Sequence, residues 1–172
     1  KFLGIGSISR SLSLISHIKK KFPNSKITFI TFLENKNFVE LIKPIDNFRF
    51  IEKNNIFYFL LNLIILIYKN QSYNKNTLYI DLESHSNFSK IISFLNNSIF
   101  KIGFYNKKKS FIFNQNIFFD RLLFIESNYN KILKFLKIND FFKENKLELL
   151  KLKNSEITIN EKLVNLNINK KD

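Results

Sequence analysis

The sequence predicts an α/β fold built on a doubly wound parallel sheet. Short runs rich in β-branched and aromatic residues alternate with segments whose apolar residues recur at helical spacing. The runs are apolar on both sides, which is typical of strands that lie inside a parallel sheet with helices on both faces. Because strand and helix alternate strictly, the pattern indicates βαβ units. With 172 residues, 45% of them hydrophobic, the chain is long enough to bury one core of this kind.

Each predicted element follows from its own pattern. The predicted strands are KFLGI (1–5), KITFITF (26–32), FRFIE (48–52), TLYIDLE (77–83) and FKIGFY (100–105). The predicted helices between them cover residues 11–22, 35–43, 56–68 and 88–96, followed by an extended segment at 110–119 and a long helix at 121–138. Periodicity weakens after residue 138. We therefore expect one domain over residues 1–138, and a linker or the start of a further domain over 139–172.

Composition limits the function classes. The chain is rich in Lys, Asn and Ile and lacks Ala, Met, Cys and Trp, which indicates an AT-rich genome. The net charge of +14 is therefore weak evidence for a nucleic-acid partner, since the lysines are scattered and the one compact run is 107–109. The absence of cysteine excludes a disulfide scaffold and a thiolate metal site. No signal peptide precedes the first strand, so a cytoplasmic location is expected.

The segment IFYFLLNLIILIY (56–68) raises the question of a membrane. It is apolar almost all round, but it is shorter than the roughly 20 residues that a helix needs to cross a bilayer. Two interpretations remain, a buried core helix and a helix that touches a membrane surface. The two flanks differ little in charge, and the sequence favours the core helix.

Two loops follow predicted strands at the sheet edge where doubly wound proteins bind ligands. The first contains Gly4, Gly6, Ser7, Ser9 and Arg10. Ser9 occupies the place of the third glycine of a dinucleotide loop, and the Walker triplet is absent, so the loop disfavours a free nucleotide. It remains a glycine turn with hydroxyls at a helix N-terminus, which suits an anion or a polar ligand. The alternative is that Ser7 or Ser9 only caps the helix.

The second loop covers residues 81–87 and carries more chemistry. Asp81 and Glu83 are two apart on a strand and face the same side, so at least one is expected at the strand exit, with Glu83 the more exposed. Glu83 and His85 could then serve as acid, base or hydroxyl acceptor for a sugar. Alternatively, Asp81 binds backbone amides and His85 lies on the surface. No His, Asp or Glu cluster has metal-ligand spacing, so no metal is expected.

Four stretches in the same order and spacing resemble the N-terminal domain of the family 9 glycosyltransferases, which include the lipopolysaccharide heptosyltransferases. They are the opening turn and helix that end in KKKFPNSKITFIT, then FVELIKPIDNFRFIE, YIDLESHSNFSKIISFLNNSIFKIGFY and FFDRLLFIESNYNKILKFLKI. The resemblance covers residues 2–138. It implies a GT-B architecture of two Rossmann-like domains with the active site between them. This chain would be the N-terminal, acceptor-binding half, and the nucleotide-sugar donor would bind a C-terminal domain beyond residues 139–172.

The chain differs from that family at the position of the catalytic base. The resemblance places a catalytic aspartate and, six positions later, a proline where this sequence has Ser7 and Ser13. A serine hydroxyl is not a general base at neutral pH unless another group activates it. Glu83 is therefore the candidate base, with Ser7 at the position of the aspartate. Acceptor-binding residues are expected among Gly6, Ser9, Arg10, His85, Ser86 and Asn87.

The function that follows from the resemblance is inverting hexosyl or heptosyl transfer. The expected reaction moves a sugar from a nucleotide-sugar donor to a cell-surface, lipopolysaccharide-like glycan or glycolipid. No cofactor is expected beyond the donor. Peripheral contact with the inner face of the membrane is a further expectation. The alternative is a non-catalytic Rossmann-like module that binds a glycan or a protein partner, and a nucleic-acid partner is disfavoured.

Overall fold

The computed structural model describes residues 1–2, 4–53, 55–70 and 76–138. Strands and helices alternate from α1 to β4, and β5 follows β4 without a helix between them. The elements are α1 (Ile5–Lys21), β1 (Thr28–Phe32), a 3₁₀ turn (Leu33–Asn35), α2 (Lys36–Val39), β2 (Asn47–Ile51), α3 (Ile56–Asn70), β3 (Leu78–Asp81), α4 (Asn87–Leu95), β4 (Phe100–Tyr105), β5 (Gln115–Phe118) and α5 (Ile125–Phe135).

The strands form two parallel sheets that the N-terminal segment links. β1 pairs with β2, and β4 lies between β3 and β5. The backbone nitrogen of Lys1 donates to the carbonyl of Ile30 in β1 at 3.1 Å. The next amide, that of Phe2, donates to the Glu83 carboxylate just after β3 at 2.8 Å. The predicted α/β fold with parallel strands is confirmed.

Helices cover both faces of the sheets. On one face α1 and α5 pack together, where Leu14 shares a core with Tyr129 and Ile102. The same helix α1 places Ile8 in a second core, against β1 and α2. A third core, on the opposite face, joins Phe2, Ile51 and Ile92 to partly buried side chains of α3 and α4. Because α1 contributes to the cores of both sheets, it fixes the two sheets to each other.

The strand predicted over residues 1–5 is wrong, because a helix begins at Ile5. Gly4 has a φ of 63° and is the N-cap of α1, which begins at Ile5 rather than Ser11. Such a positive φ is costly for any residue with a Cβ, so the glycine sets where the strand-like segment ends and the helix starts. Leu3 lies outside the described residues. Here the sequence pattern placed the boundary too late because a helix start with two glycines lacks the usual propensity signal.

The later boundaries also shift. The helix predicted over 35–43 is reduced to the 3₁₀ turn and four residues of α2, and the helix predicted over 121–138 begins only at Ile125. The extended segment predicted over 110–119 contains β5 at its end. The predicted linker, residues 139–172, lies outside the described residues.

Gly103 lies in the centre of β4, opposite Asp81 of β3. A Cβ at this position would overlap the ring of Phe113 from the following loop. The glycine therefore allows the loop between β4 and β5 to close over the sheet. That loop lines the candidate site described below.

The prediction of a helix buried in the core is wrong for the outer side of α3. Phe57 is 69% exposed, Ile64 63% and Tyr68 77%. On the inner side, the ring of Phe59 lies 5.4 Å from the ring of Phe88 in α4. Among the described residues, no helix is both long and apolar enough to cross a bilayer.

Candidate functional site

The first loop begins a helix without a side-chain cap. Gly4 accepts the backbone hydrogen bonds of Ser7 and Ile8 at 3.0 and 3.1 Å, and it makes no side-chain cap bond. Ser7 and Ser9 lie inside the first two turns, and the Ser9 hydroxyl donates to the carbonyl of Gly6 at 2.9 Å. The interpretation of Ser7 or Ser9 as the helix cap is therefore wrong. Ser7 is half-buried and Arg10 is exposed.

The second loop buries both of its carboxylates. Asp81 is 4% exposed and Glu83 is 7% exposed, so the expectation that Glu83 is the exposed one is wrong. One oxygen of Glu83 accepts the amide of Phe2 at 2.8 Å, and the other accepts Nζ of Lys1 at 3.2 Å. Each oxygen therefore already accepts one hydrogen bond, and a proton from a substrate would have to reach one of the remaining lone pairs.

The environment of Glu83 also weakens it as a base. Burial raises the pKa of Glu83, but the Lys1 ammonium and the amide of Phe2 outweigh burial and hold the pKa below the usual glutamate range. A carboxylate with a lowered pKa accepts a proton less readily at neutral pH. The structure thus gives Glu83 a clear stabilising contact, and its role as a base stays a prediction.

Asp81 and Ser86 organise the loop. Asp81 accepts the amide of Glu83 at 2.9 Å and the hydroxyl of Ser93 at 3.1 Å, which confirms the interpretation that it binds a backbone amide. Burial raises the pKa of Asp81. Ser86 is the N-cap of α4, where its hydroxyl oxygen accepts the amide of Ser89 at 3.1 Å. Asn87 is the exposed first residue of that helix.

A cavity of about 350 Å³ lies beside this loop, at the carboxyl ends of β3 and β4. This is the edge at which doubly wound sheets bind their ligands. Four lining residues are cations, and no acidic residue lines the cavity. We call it the basic pocket. It is lined by Ser84, His85, Lys90, Phe104, Tyr105, Asn106, Lys107, Lys108, Ser110 and Arg121.

His85 and Arg121 meet at this pocket. Nη2 of Arg121 lies 3.4 Å from Nδ1 of His85. A guanidinium can only donate, so a hydrogen bond between these two groups requires an unprotonated Nδ1 as the acceptor. Burial lowers the pKa of His85, and the charges of Arg121 and Lys90 lower it further. His85 is therefore a neutral group in a positive field. The pocket carries an excess of positive charge, which favours an anionic ligand.

Of the residues that the sequence grouped as acceptor-binding, only His85 is in the lining of the basic pocket. His85 lines the basic pocket, whereas Gly6, Ser9 and Arg10 lie on α1, and Ser86 and Asn87 begin α4. The sequence reasoning missed Lys90, Arg121 and the loop 106–110. One signal was available, because the lysine run 107–109 follows the predicted strand at 100–105. Across the described ranges, no group of three His, Asp or Glu side chains could hold a metal ion.

The pKa of His85 provides a direct measure of anion binding. We expect inorganic phosphate to raise the pKa of His85, because an anion among Lys90, Lys108 and Arg121 reverses the local potential. The measurement is an NMR titration of the imidazole with and without phosphate. His17 of α1 serves as the internal control. Its Nδ1 lies 2.7 Å from the carbonyl oxygen of Ser13, and the residue does not line the pocket. An identical shift at both histidines would contradict anion binding in the pocket.

The fold matches that of a solved glycosyltransferase. The chain superposes on the glycosyl transferase family 9 protein from Veillonella parvula DSM 2008 with a TM-score of 0.70 and 15% sequence identity. The described residues therefore have a Rossmann-like α/β fold similar to that of the matched part of this protein. The match covers 81% of this chain but only 40% of that chain, so this sequence spans less than half of the similar protein. No protein-family model matches the sequence. No curated protein matches it either.

Proposed function

We propose that the chain is the acceptor-binding domain of an inverting glycosyltransferase. The enzyme would transfer a hexosyl or heptosyl unit from a nucleotide sugar to an anionic cell-surface glycan or glycolipid of the lipopolysaccharide type, and this domain would bind that acceptor. The observation that carries the proposal is the basic pocket, which lies at the ligand-binding edge of a GT-B-like domain and has four cations and no acid in its lining. A cytoplasmic location at the inner face of the membrane belongs to the same proposal.

The pocket suits a phosphorylated or carboxylated sugar. Arg121 offers a planar pair of donors that matches a phosphate or carboxylate, and Lys107 and Lys108 add point charges. Ser84, Asn106 and Ser110 supply the neutral hydrogen-bonding groups that sugar hydroxyls need. A volume of about 350 Å³ is at the lower end of the range for small-molecule sites, which limits recognition to a small part of the glycan.

Direct displacement sets the remaining requirements. The acceptor hydroxyl attacks the anomeric carbon, the bond to the diphosphate breaks, a base takes the hydroxyl proton and the nucleoside diphosphate leaves. Within the proposal Glu83 remains the candidate base, and Ser7 is a hydroxyl that could position the acceptor. The donor and the groups that stabilise its leaving phosphate would belong to a second domain.

A second candidate function is a non-catalytic glycan-binding module. It is favoured by Ser7, which stands where the family 9 glycosyltransferases have their catalytic aspartate and which is not a general base by itself. It is also favoured by the contacts of Glu83 with Lys1 and Phe2, which lower the pKa of the candidate base. In this case the basic pocket would bind an anionic glycan without transfer.

Nucleoside diphosphate release by the full-length protein distinguishes the two functions. A panel of nucleotide sugars is tested with a phosphorylated glycan, and the matched dephosphorylated glycan is the control. We expect release that depends on the phosphorylated acceptor. Binding of that acceptor without release from any donor would support the module, and absence of both binding and release would contradict both functions.

A further inference from the structure

The turn between β5 and α5 brings Arg121 to the basic pocket. Among the residues that line the pocket, Arg121 is the only one that follows residue 110. The four residues from Arg121 to Phe124 are all exposed, Leu122 at 96% and Phe124 at 81%. Because buried apolar contacts are few here, the conformation of the turn depends on its hydrogen bonds.

Asn128 of α5 makes the hydrogen bonds that hold this turn at both ends. Its side chain is fully buried. Oδ1 accepts the backbone amide of Asp120 at 2.8 Å, and Nδ2 donates to the carbonyl of the same residue at 2.8 Å. Nδ2 also donates to the carbonyl of Phe124 at 3.3 Å, and Oδ1 accepts Nζ of Lys131 at 3.1 Å. One side chain therefore binds the backbone on both sides of residues 121–123.

Asp120 holds the backbone that follows Arg121. Its Oδ1 accepts the amide of Leu122 at 2.9 Å, which is the hydrogen bond of an Asx turn. The residues before and after Arg121 are thus both fixed, while its own side chain is exposed and lies beside His85. A long exposed side chain has many rotamers, so the position of its backbone decides what the guanidinium can reach.

The turn needs Asn128 more than the helix does. Apolar side chains already anchor α5, since Tyr129, Ile132 and Leu133 are all buried in its core. A buried amide is costly unless its polar atoms are hydrogen-bonded. Three of the four hydrogen bonds of Asn128 go to the backbone of Asp120 and Phe124, which precede the helix.

We propose that Asn128 and Asp120 are positioning residues that hold Arg121 for the anion that the basic pocket binds. This inference rests on the proposed function, because it takes the pocket as the site of an anionic acceptor. The planar donors of a guanidinium bind a phosphate or carboxylate as a pair, and this geometry is lost when the backbone moves. Lysines are point charges on flexible stems and depend less on the position of their backbone.

The pKa of His85 reports where Arg121 lies. Burial lowers this pKa, and the charge of Arg121 lowers it further. An NMR titration of the full-length protein measures the pKa, with His17 as the internal control, and added inorganic phosphate gives the Kd of the pocket. We expect Asn128→Ala to raise the pKa of His85 and to weaken phosphate binding about tenfold or more, as Arg121→Gln should.

The double variant Asn128→Ala/Arg121→Gln tests whether Asn128 acts through Arg121. It should have the His85 pKa and the phosphate Kd of Arg121→Gln alone, because one interaction cannot be lost twice. Additive effects would overturn the proposal, since Asn128 would then influence the pocket by another route.

A pair of variants at Asp120 leaves the buried amide in place. Asp120→Ala and Asp120→Asn remove the same charge, but only asparagine keeps an oxygen for the amide of Leu122. Asp120→Ala should bind phosphate about two- to tenfold more weakly than Asp120→Asn. Loss of the charge alone would affect both variants equally, and that result would overturn the proposal. The pair decides the matter even where Asn128→Ala does not fold.

Failure of the proposal is distinguishable from failure of the proposed function. Absence of phosphate binding by the wild type would count against the proposed function, whereas the pKa of His85 without phosphate still decides whether Asn128 and Asp120 hold Arg121. An unchanged His85 pKa and phosphate Kd in both Asn128→Ala and Asp120→Ala would overturn the positioning role and leave the proposed function intact.

Discussion

Replacement of Glu83 by alanine is expected to lower the free energy of unfolding by about 3–5 kcal/mol, the usual cost of removing one partner of a buried ion pair. The side chains of Glu83 and Lys1 are each 7% exposed, and their charged atoms lie 3.2 Å apart. Alanine would leave the Phe2 amide without this acceptor, and the Lys1 ammonium would keep the carbonyl of Leu82 but lose its counter-charge. Urea unfolding of wild-type and variant protein measures the difference.

The exposed ion pair between Lys53 and Glu34 provides the control. Its atoms approach to 2.7 Å, but the two side chains are 44% and 49% exposed. Glu34→Ala should therefore cost less than about 1 kcal/mol. An equal loss of unfolding free energy in the two variants would show that burial does not increase the contribution of Glu83 to stability.

The stabilising effect of Glu83 should also depend on pH. Its pKa is lowered in the folded state, so its contribution is fully present above the pKa of an unfolded glutamate, about 4.3, and is lost as the pH falls through the lower folded value. The difference in stability between wild type and Glu83→Gln should therefore shrink in acid. A difference that is constant from neutral to acidic pH would indicate that the charge of Glu83 is not involved.

The same Glu83→Gln variant tests the proposed base. Glutamine can still accept the amide of Phe2, but it cannot take a proton from an acceptor hydroxyl. If Glu83 is the base, the folded variant should lose transfer by about 10² or more at unchanged acceptor KM. Unchanged turnover would leave Glu83 with its structural role and remove it from the mechanism.

Removal of two cations from the basic pocket is expected to weaken acceptor binding strongly. Lys108 and Arg121 both line the pocket, and a hydrogen bond to a charged group is worth about 1.5–3 kcal/mol. The variant Lys108→Gln/Arg121→Gln should therefore raise KM for a phosphorylated acceptor about 10- to 100-fold or more, with a smaller effect on kcat. Steady-state kinetics with the full-length protein, or direct binding of the acceptor where turnover is absent, measures the change.

A charge-matched variant separates local recognition from the net charge of +14. Lys21 and Lys43 are exposed and do not line the basic pocket. Lys21→Gln/Lys43→Gln removes the same total charge and should leave KM nearly unchanged. If both double variants weaken binding equally, the attraction is a general property of a basic protein rather than of the pocket. The pocket variant should also discriminate less between phosphorylated and dephosphorylated acceptors.

Part of the candidate site was predictable from the sequence. The loop 81–87 follows an apolar strand, and the rule that parallel strands place their carboxyl ends at one edge correctly placed it at that edge of the sheet. The same rule applied to the strand at 100–105 points to the lysine run 107–109. Arg121 was not predictable in this way, because its place beside His85 depends on how the turn after β5 folds back.

The burial of Glu83 could not be read from the strand pattern. Alternation assigns Asp81 and Glu83 to the same side of β3, but it does not show that Lys1 and Phe2 lie against them. That contact joins residues about 80 positions apart in the chain. The pattern therefore placed both carboxylates at the end of the strand but missed the buried partners that hold Glu83.

The sequence by itself determined the order of elements from β1 onward, the parallel α/β class and the carboxyl-end edge, because these depend on local periodicity and on the handedness of βαβ units. Only the tertiary structure decided which apolar surfaces are covered. The segment 56–68 has the composition of a core helix, yet Ile64 and Tyr68 are 63% and 77% exposed. Composition measures how strongly a side chain avoids water, whereas burial also requires a neighbour to cover it, and the described part of the domain covers only the inner side of α3.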